Sequence, residues 1–482
     1  MTDAVAKHHQ SIGSRDNPLA RFSQFMVGFA ERWFPDAYVF VLLAVIVVAA
    51  GAILHGGSPI EVSQAFGNGF WNLIPFTMQM ALVAISGYVI AMSPAAAAVL
   101  KRLANVPTTS RGAVVFVGVL SILLSLLNWG LSLIFSGLLV REIARRSDIK
   151  LDYRAAGAAG YLGLGCGFTF GITSSAAQLQ ANAASIPESL MPITGVIGFT
   201  ETILTWQGLL TTLVVTILSG AICYFTTPSL EKTVTADDLG VSLDDDRIEK
   251  KKPQRPGDFL EYSPILTILI VVLALGWLWH AFRSGNPLIT LSGLNTYNFV
   301  FLLLGILLHW RPRSLIDAFS KAMPSVSGVL LQFPFYAGIA HILTKVHNAN
   351  GLSLSDTIAH WFVDVSSNTL GFSFLVSIYS AVLGFFIPSA GGKWVIEAPY
   401  IMTAANAIHA HLGWTVMVYN IAETLPNFIN PFWMLPLLGI LGLKSKDLIG
   451  YTSVQFCIHF PIVLFIAAVL MTTFAYHPPI LP

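Results

Sequence analysis

Charge is scarce in this 482-residue sequence, where Asp, Glu, Lys and Arg make up 11% of the residues against roughly 25% in an ordinary soluble domain. A chain so short of charge and 55% apolar is a membrane protein. Its 26 basic residues balance 25 acidic ones, for a net charge of +1. No basic field exists to attract nucleic acid. Cysteine is scarcer still: Cys166, Cys223 and Cys457 lie far apart inside apolar stretches, which excludes a disulfide framework and a thiolate metal site. His8-His9 sits in a polar tail and is given no role. Also missing are a His-Glu-x-x-His zinc motif, an intramembrane Asp pair and a nucleophile with its base, so neither an enzyme nor a resident cofactor is expected.

Long apolar runs are plentiful, near 37–55, 74–92, 112–140, 155–172, 205–226, 262–282, 296–310, 325–344, 370–387, 412–442 and 450–475. Most can cross a bilayer. Run 112–140 cannot be one crossing helix, because its 29 residues would span about 44 Å against a hydrocarbon core of roughly 30 Å. Asn128-Trp129-Gly130 interrupts it, Lys101, Arg102 and Arg111 precede it, and Arg141, Arg145, Arg146, Lys150 and Arg154 follow. Basic clusters at both ends point to a re-entrant hairpin entered from the cytoplasm. Run 370–408 has the complementary character, with Pro388-Ser389-Ala390-Gly391-Gly392-Lys393 at its break and no basic residue flanking it, and predicts a hairpin opening outward. With these two hairpins and about nine full crossings, 23 of the 26 basic residues fall on the cytoplasmic side. The amino terminus is expected inside and the carboxyl terminus outside.

The domain reading follows. Residues 1–34 are a cytoplasmic tail with an interfacial helix from Leu19 to Phe34, 35–227 a first transmembrane repeat, and 228–258 a charged cytoplasmic linker carrying Asp244-Asp245-Asp246 and Lys250-Lys251-Lys252. Residues 259–285 form a connecting helix, and 286–482 a second repeat of inverted topology. Each half reads as a span, an amphipathic arm, a span with a mid-membrane Gln, a hairpin, an interrupted span and a final span. At an offset of 253, Ala65-Phe66 matches Ala318-Phe319, Gln79 matches Gln332 and Ala84 matches Ala337. The fold class is thus an all-α polytopic membrane protein, and inverted repeats with helices broken near the midplane are a transporter signature. Pro75, Pro94, Pro334 and Pro461 are expected to kink ordinary spans.

The interruptions carry the chemistry. A helix restarting after Asn128-Trp129-Gly130 leaves amides unpaired at its amino terminus, where an anion can bind. Asn128 can cap that helix or touch a ligand, with Ser132 one turn on. In the second hairpin Ser389 can cap while Gly391 and Gly392 let a ligand approach bare backbone. Facing walls come from Thr173, Ser174 and Ser175 in the first interrupted span. In the second, Thr424, Asn427 and Asn430 flank prolines that free carbonyls for a cation such as sodium. The run Gly163-Leu-Gly-Cys-Gly167 is expected to serve close helix packing. Lys393 and Glu397, four apart on one helix, can neutralise each other, or Lys393 can attract a carboxylate while Glu397 or Glu423 takes a coupling proton. Glu201 is a further ionisable candidate at bilayer depth. Coupling-ion candidates are Asn128, Glu397, Glu423, Asn427 and Asn430, and an apolar wall is expected from Trp129, Trp394 and Phe428.

Four stretches carry a family resemblance: Arg21 to Phe40, Leu-Leu-Asn-Trp-Gly-Leu-Ser ending at Ser132, Phe-Ile-Pro-Ser-Ala-Gly-Gly-Lys-Trp ending at Trp394, and Leu-Pro-Asn-Phe-Ile-Asn-Pro-Phe-Trp ending at Trp433. The chain resembles the bacterial short-chain fatty acid transporter family nearly end to end, and more distantly organic-anion carriers of the ion transporter superfamily. The resemblance implies uptake of acetoacetate, butyrate or a similar monocarboxylate, coupled to protons or sodium, and admits a homodimer with an elevator motion. A sodium/proton antiporter or dicarboxylate carrier is the alternative within transport, with an intramembrane enzyme or a channel as remoter ones.

Overall fold

The computed structural model describes residues 37–243, 255–283, 290–291, 293–366, 368–430 and 432–481. The expected interfacial helix of 19–34 and the Asp244–Asp246 and Lys250–Lys252 clusters lie outside them. Among the described residues the chain is helical throughout, with two isolated β-bridges and no ladder.

The first half runs α1 (Ala37–Leu54), α2 (Pro59–Gly69), α3 (Ile74–Ala91), α4 (Pro94–Leu103), α5 (Ser110–Leu127), α6 (Trp129–Ala144), α7 (Tyr153–Gly160), α8 (Ser175–Ala181) and α9 (Trp206–Thr226). After α10 (Ile265–Arg283) comes the second: α11 (Leu294–His309), α12 (Pro312–Ala322), α13 (Ser327–Lys345), α14 (Leu354–Val365), α15 (Thr369–Phe386), α16 (Ala390–Ala407), α17 (Leu412–Thr424), α18 (Leu435–Leu441) and α19 (Ser445–Met471). The same order of elements occurs twice. The offset of 253 carries Pro59–Gly69 onto Pro312–Ala322 end for end and superposes α3 on α13. Both hairpins begin with an 18-residue arm.

Local chemistry starts and stops these helices. Ser58 and Glu61 close a capping box on α2, and Ser353 with Asp356 does the same for α14, each satisfying two amides that the helix cannot. The short helices α4 and α14 have no counterpart in the hydropathy reading. Pro94 does not kink a span: Ser93 caps the helix that Pro94 begins, the position where a missing N–H costs nothing. Pro334 and Pro461, by contrast, lie inside α13 and α19.

The halves interlock. Arm α2 packs on α13 and arm α12 on α3, so each half supplies the brace for the other. His341 of α13 meets the Ala65 carbonyl at 2.9 Å, and Asn298 of α11 donates to the Gln79 carbonyl at 2.9 Å. By length and apolarity eight of the described helices can cross a membrane, nine if the bent pair Leu412–Phe428 and Phe432–Leu441 is one span. α10 shows the most lipid-like surface, only 11% of it buried, whereas the stretch Tyr153–Ala181 is 94% buried. That contrast separates a peripheral helix from the centre of the molecule.

Both hairpins are present. Ser132 on α6 donates to the Ser121 carbonyl on α5 at 2.6 Å, and the hydroxyls of Tyr379 on α15 and Tyr400 on α16 lie 3.0 Å apart. A continuous helix would hold the serines about 16 Å apart. The described part of the linker is docked: Arg145 binds the Leu243 carbonyl, Lys150 the Leu230 carbonyl at 3.1 Å, and Asp152 accepts the Val234 amide at 3.0 Å.

Candidate functional site

The two hairpin tips converge on one small cavity of about 40 Å³. Trp129, the first residue of α6, faces it from one tip, and Ser389, Ala390 and Gly391 from the other. Both helices therefore aim their amino termini at the same space. The first-turn amides of a helix have no internal acceptor, and the dipole there favours negative charge. Ser175 and Asn427 from the two interrupted spans complete the polar rim. The remaining wall is apolar, with Phe168, Phe333 and Trp433 prominent in it. None of the lining residues is Asp, Glu, Lys, Arg or His.

Each tip is held by a cap. Asn128 accepts the Leu131 amide at 2.8 Å and spends its two amide hydrogens on the Val83 carbonyl at 3.0 Å and the Tyr297 hydroxyl at 2.8 Å. It positions the tip and does not line the cavity. Gly130 lets α6 touch α3, since a Cβ there would lie 2.8 Å from the Ala84 carbonyl oxygen. Ser389 accepts the Gly392 amide at 3.3 Å and also lines the cavity. Gly391 is bare because Phe76 and Ser175 press on it, at 2.9 and 3.1 Å from a Cβ built there, and Gly392 because the Tyr336 ring does.

The first interrupted span shows why its hydroxyls matter. After α7 the chain passes through a π-turn at Gly163–Gly167 and a 3₁₀ turn at Phe168–Phe170, then opens before α8. The glycines pack as expected: Gly163 against Ser121 and Ser132, Gly165 against the Phe428 ring. Thr173 accepts the Trp129 amide at 3.3 Å and Ser174 is bonded to Asn420, so these two brace the tip while Ser175 reaches the cavity.

In the second interrupted span, Thr424 donates to the Asn420 carbonyl at 2.7 Å. Asn430 donates to the Phe385 carbonyl at 3.3 Å and accepts the Phe432 amide at 3.0 Å, which makes it a brace between α15 and the bend. Ser132 is the clasp of the first hairpin. Lys393 and Glu397 form a buried ion pair at 3.1 Å, one of the two arrangements that their spacing allows, and neither is among the residues lining the cavity. Phe428 and Trp394 are fully buried packing residues, whereas Trp129 meets Trp433 edge to face at 5.6 Å and does form a wall.

Sequence reasoning missed Met80, Val329 and Phe333, the cavity's contributions from α3 and α13. It also missed a cluster of Glu201, His411 and His477, whose ligand-type atoms lie within 4.8 Å of one another. Glu201 is partly exposed, 2.8 Å from His477. His411 Nδ1 accepts the Trp414 amide at 3.0 Å, so its Nε2 carries the hydrogen and has no lone pair for a metal. Burial, with the His477 ring beside it, pushes the His411 imidazole down to about 4, which keeps this cap neutral. A second, larger cleft of about 450 Å³, lined by Arg141, Arg145, Lys321 and Glu142, opens near the far end of α6, about 18 Å along the helix from its tip.

Comparison with known proteins is consistent throughout. Residues 18–471 match the family described as "Short chain fatty acid transporter". Two relatives named "Putative short-chain fatty acid transporter", from Escherichia coli K12 and Haemophilus influenzae, are each 32% identical over 439 residues, covering 90% of this chain and 96% of theirs. Among solved structures, the Alcanivorax borkumensis YdaH transporter is 17% identical with a TM-score of 0.57, over 91% of this chain and 98% of its own. Neisseria gonorrhoeae MtrF, described among antimetabolite efflux pumps, is 14% identical with a TM-score of 0.58, over 96% and 100%. At these identities the likeness is one of fold.

Proposed function

The chain belongs to the short-chain fatty acid transporter family and is a multi-pass membrane transporter, not an enzyme; from that premise we propose that it carries a short-chain monocarboxylate, such as acetoacetate or butyrate, across the bacterial cytoplasmic membrane by secondary active transport. The observation that carries this reading is the convergence of two helix amino termini on a cavity that is polar at Ser175, Ser389 and Asn427 and apolar at Trp129, Phe333 and Trp433. A carboxylate takes hydrogen bonds from the first-turn amides of α16 and from the hydroxyls, in the manner of an anion at a helix end. A few methylenes then lie against the aromatic wall.

Size and charge narrow the class. A cavity of about 40 Å³ has room for roughly three water-sized groups, fewer than the six non-hydrogen atoms of butyrate, so the tips must part to admit even a short chain and a bulky aromatic acid is disfavoured further. Without a lining cation, nothing offsets a second carboxylate, so a dicarboxylate fits poorly. The repeated element order, read as two halves of inverted topology, supports alternating access around the tips, driven by a proton or sodium gradient. The amino terminus is assigned to the cytoplasm with the docked Arg141–Arg154 cluster. A homodimer working by an elevator motion is compatible with this arrangement.

The test is counterflow in proteoliposomes. Vesicles preloaded with unlabelled butyrate should exchange it for external labelled butyrate faster than protein-free vesicles, which set the passive baseline. No protein-dependent exchange with butyrate or acetoacetate would overturn the substrate assignment.

A further inference from the structure

Behind the second hairpin tip three ionisable side chains are sealed from solvent: Lys393 and Glu397 on α16, each 0% exposed, and Glu423 on α17, 1% exposed. Lys393 Nζ lies 3.1 Å from Glu397 Oε1, donates to the Ser380 carbonyl at 2.8 Å and sits 4.6 Å over the Tyr419 ring. Glu397 Oε2 accepts the Ser380 hydroxyl at 2.5 Å. Glu423 Oε1 lies 3.1 Å from the Thr424 hydroxyl oxygen, whose hydrogen goes to the Asn420 carbonyl, and Glu423 stands one turn on from Tyr419, whose ring Lys393 covers. One cation therefore faces two carboxylates.

The groups around them do not change that count. Tyr336 of α13, Tyr379 of α15, Tyr400 of α16 and Tyr419 of α17 contribute neutral phenols. His459 of α19 meets the Gln455 carbonyl through Nδ1 and the Ser219 hydroxyl through Nε2, a pattern that a neutral ring completes. With both carboxylates ionised the cluster carries a net negative charge in a dry interior, which is strongly disfavoured. With one protonated it is neutral. Glu397 holds the direct ion pair and the serine donor, which leaves the proton to Glu423.

Resting on the transport reading above, we propose that Glu423 is the proton-binding site of the carrier, and that each monocarboxylate is bound together with the proton that the Glu423 carboxylate holds. Asn427, one helical turn on from Glu423, lines the cavity. A substrate carboxylate at the first-turn amides of α16 and an ionised Glu423 behind the tip would repel as like charges, worth on the order of ten- to a hundredfold in affinity at an effective dielectric near 20 and separations of roughly 6–12 Å. Coupling is reciprocal: the anion draws a proton onto Glu423, and its departure lets the proton go. An O–H bond forms at Glu423 from a solvent proton on one side and breaks to release that proton on the other, so the cargo is neutral overall.

Butyrate binding to the purified protein in weakly buffered detergent solution tests this directly. At alkaline pH, where the empty carrier has lost the proton, the wild type should take up to one proton per butyrate bound, at acid pH none because Glu423 already holds it, and its affinity should fall ten- to a hundredfold from acid to alkaline pH. Glu423→Gln should bind butyrate without proton uptake and with a flat pH profile, whereas in Glu397→Gln, where Glu423 becomes the sole carboxylate facing Lys393, the pH dependence should persist and move to lower pH. Butyrate binding by the wild type with no proton uptake at alkaline pH and no change of affinity with pH would overturn the inference and leave the substrate reading standing. Proton uptake that persists in Glu423→Gln would also overturn it. Absence of butyrate binding to the wild type would instead overturn the substrate reading.

Discussion

Ser132 gives its hydroxyl to the carbonyl of Ser121 at 2.6 Å, and the two side-chain oxygens lie 3.2 Å apart, although the residues are 11 apart in sequence. That contact defines the first hairpin, and Gly163 seals it by packing where a Cβ would strike both serines. Cysteines introduced at 121 and 132 should therefore form an intrachain disulfide under mild oxidation, detected by mass spectrometry of the digested protein. Failure to cross-link would mean that the two arms do not run side by side.

Asn128 and Ser389 occupy equivalent caps but should respond differently to alanine. Asn128→Ala removes three hydrogen bonds and leaves the buried Leu131 amide without its acceptor, while the Tyr297 hydroxyl keeps the Leu127 carbonyl and the Val83 carbonyl keeps the Ser86 hydroxyl, so a loss of stability of roughly 1–3 kcal/mol is expected, read as a lowered unfolding temperature. Ser389→Ala loses one cap bond, worth about 1 kcal/mol, together with a hydroxyl at the cavity. It should raise the KM for butyrate several-fold with little change in unfolding temperature. The reverse pattern would move the ligand to the other tip.

Phe333 forms part of the apolar wall and stacks on Phe76 at 5.9 Å. Phe333→Ala should lengthen the pocket and shift preference from butyrate toward hexanoate or octanoate in competition assays. An unaltered chain-length profile would show that the alkyl chain does not lie against Phe333.

The Lys393–Glu397 pair should behave as a unit. Breaking it by Lys393→Met strands a buried charge and should cost about 3–5 kcal/mol, Glu397→Met should cost less because Glu423 can ionise to face Lys393, and the double replacement should recover most of the Lys393→Met loss. Thermal unfolding of the three variants decides the matter, and additive losses would show that the pair is not mutually neutralising.

How far the sequence could be read depended on what each feature leaves in the residue string. The first hairpin was legible because Arg111 and Arg141, on either side of Asn128-Trp129-Gly130, had to return to one face of the membrane. The second was legible from Pro388-Ser389 and the two glycines. Ser175, Ser389 and Asn427 stood out as polar groups in apolar surroundings, and all three line the cavity. Phe333 and Val329 left no such mark, since an apolar residue on an apolar helix looks the same whether it faces lipid, core or ligand. Lys393 was ambiguous because a spacing of four permits an ion pair without requiring one; the Ser380 carbonyl, 13 residues earlier, closes the pair and is visible only once α15 and α16 fold together. Helix α4 was hidden by Pro94, which in sequence looks like a kink and in the fold is a helix start.

Where the carboxylate sits is the claim on which the rest depends, and a bromine-substituted butyrate locates it by anomalous scattering from crystals of the complex. The bromine should appear between the two hairpin tips, against Trp129, Phe333 and Trp433, with the carboxylate toward Ser389 and the first-turn amides of α16. A bromine peak in the cleft of Arg141, Arg145 and Lys321, with none between the tips, would contradict the account.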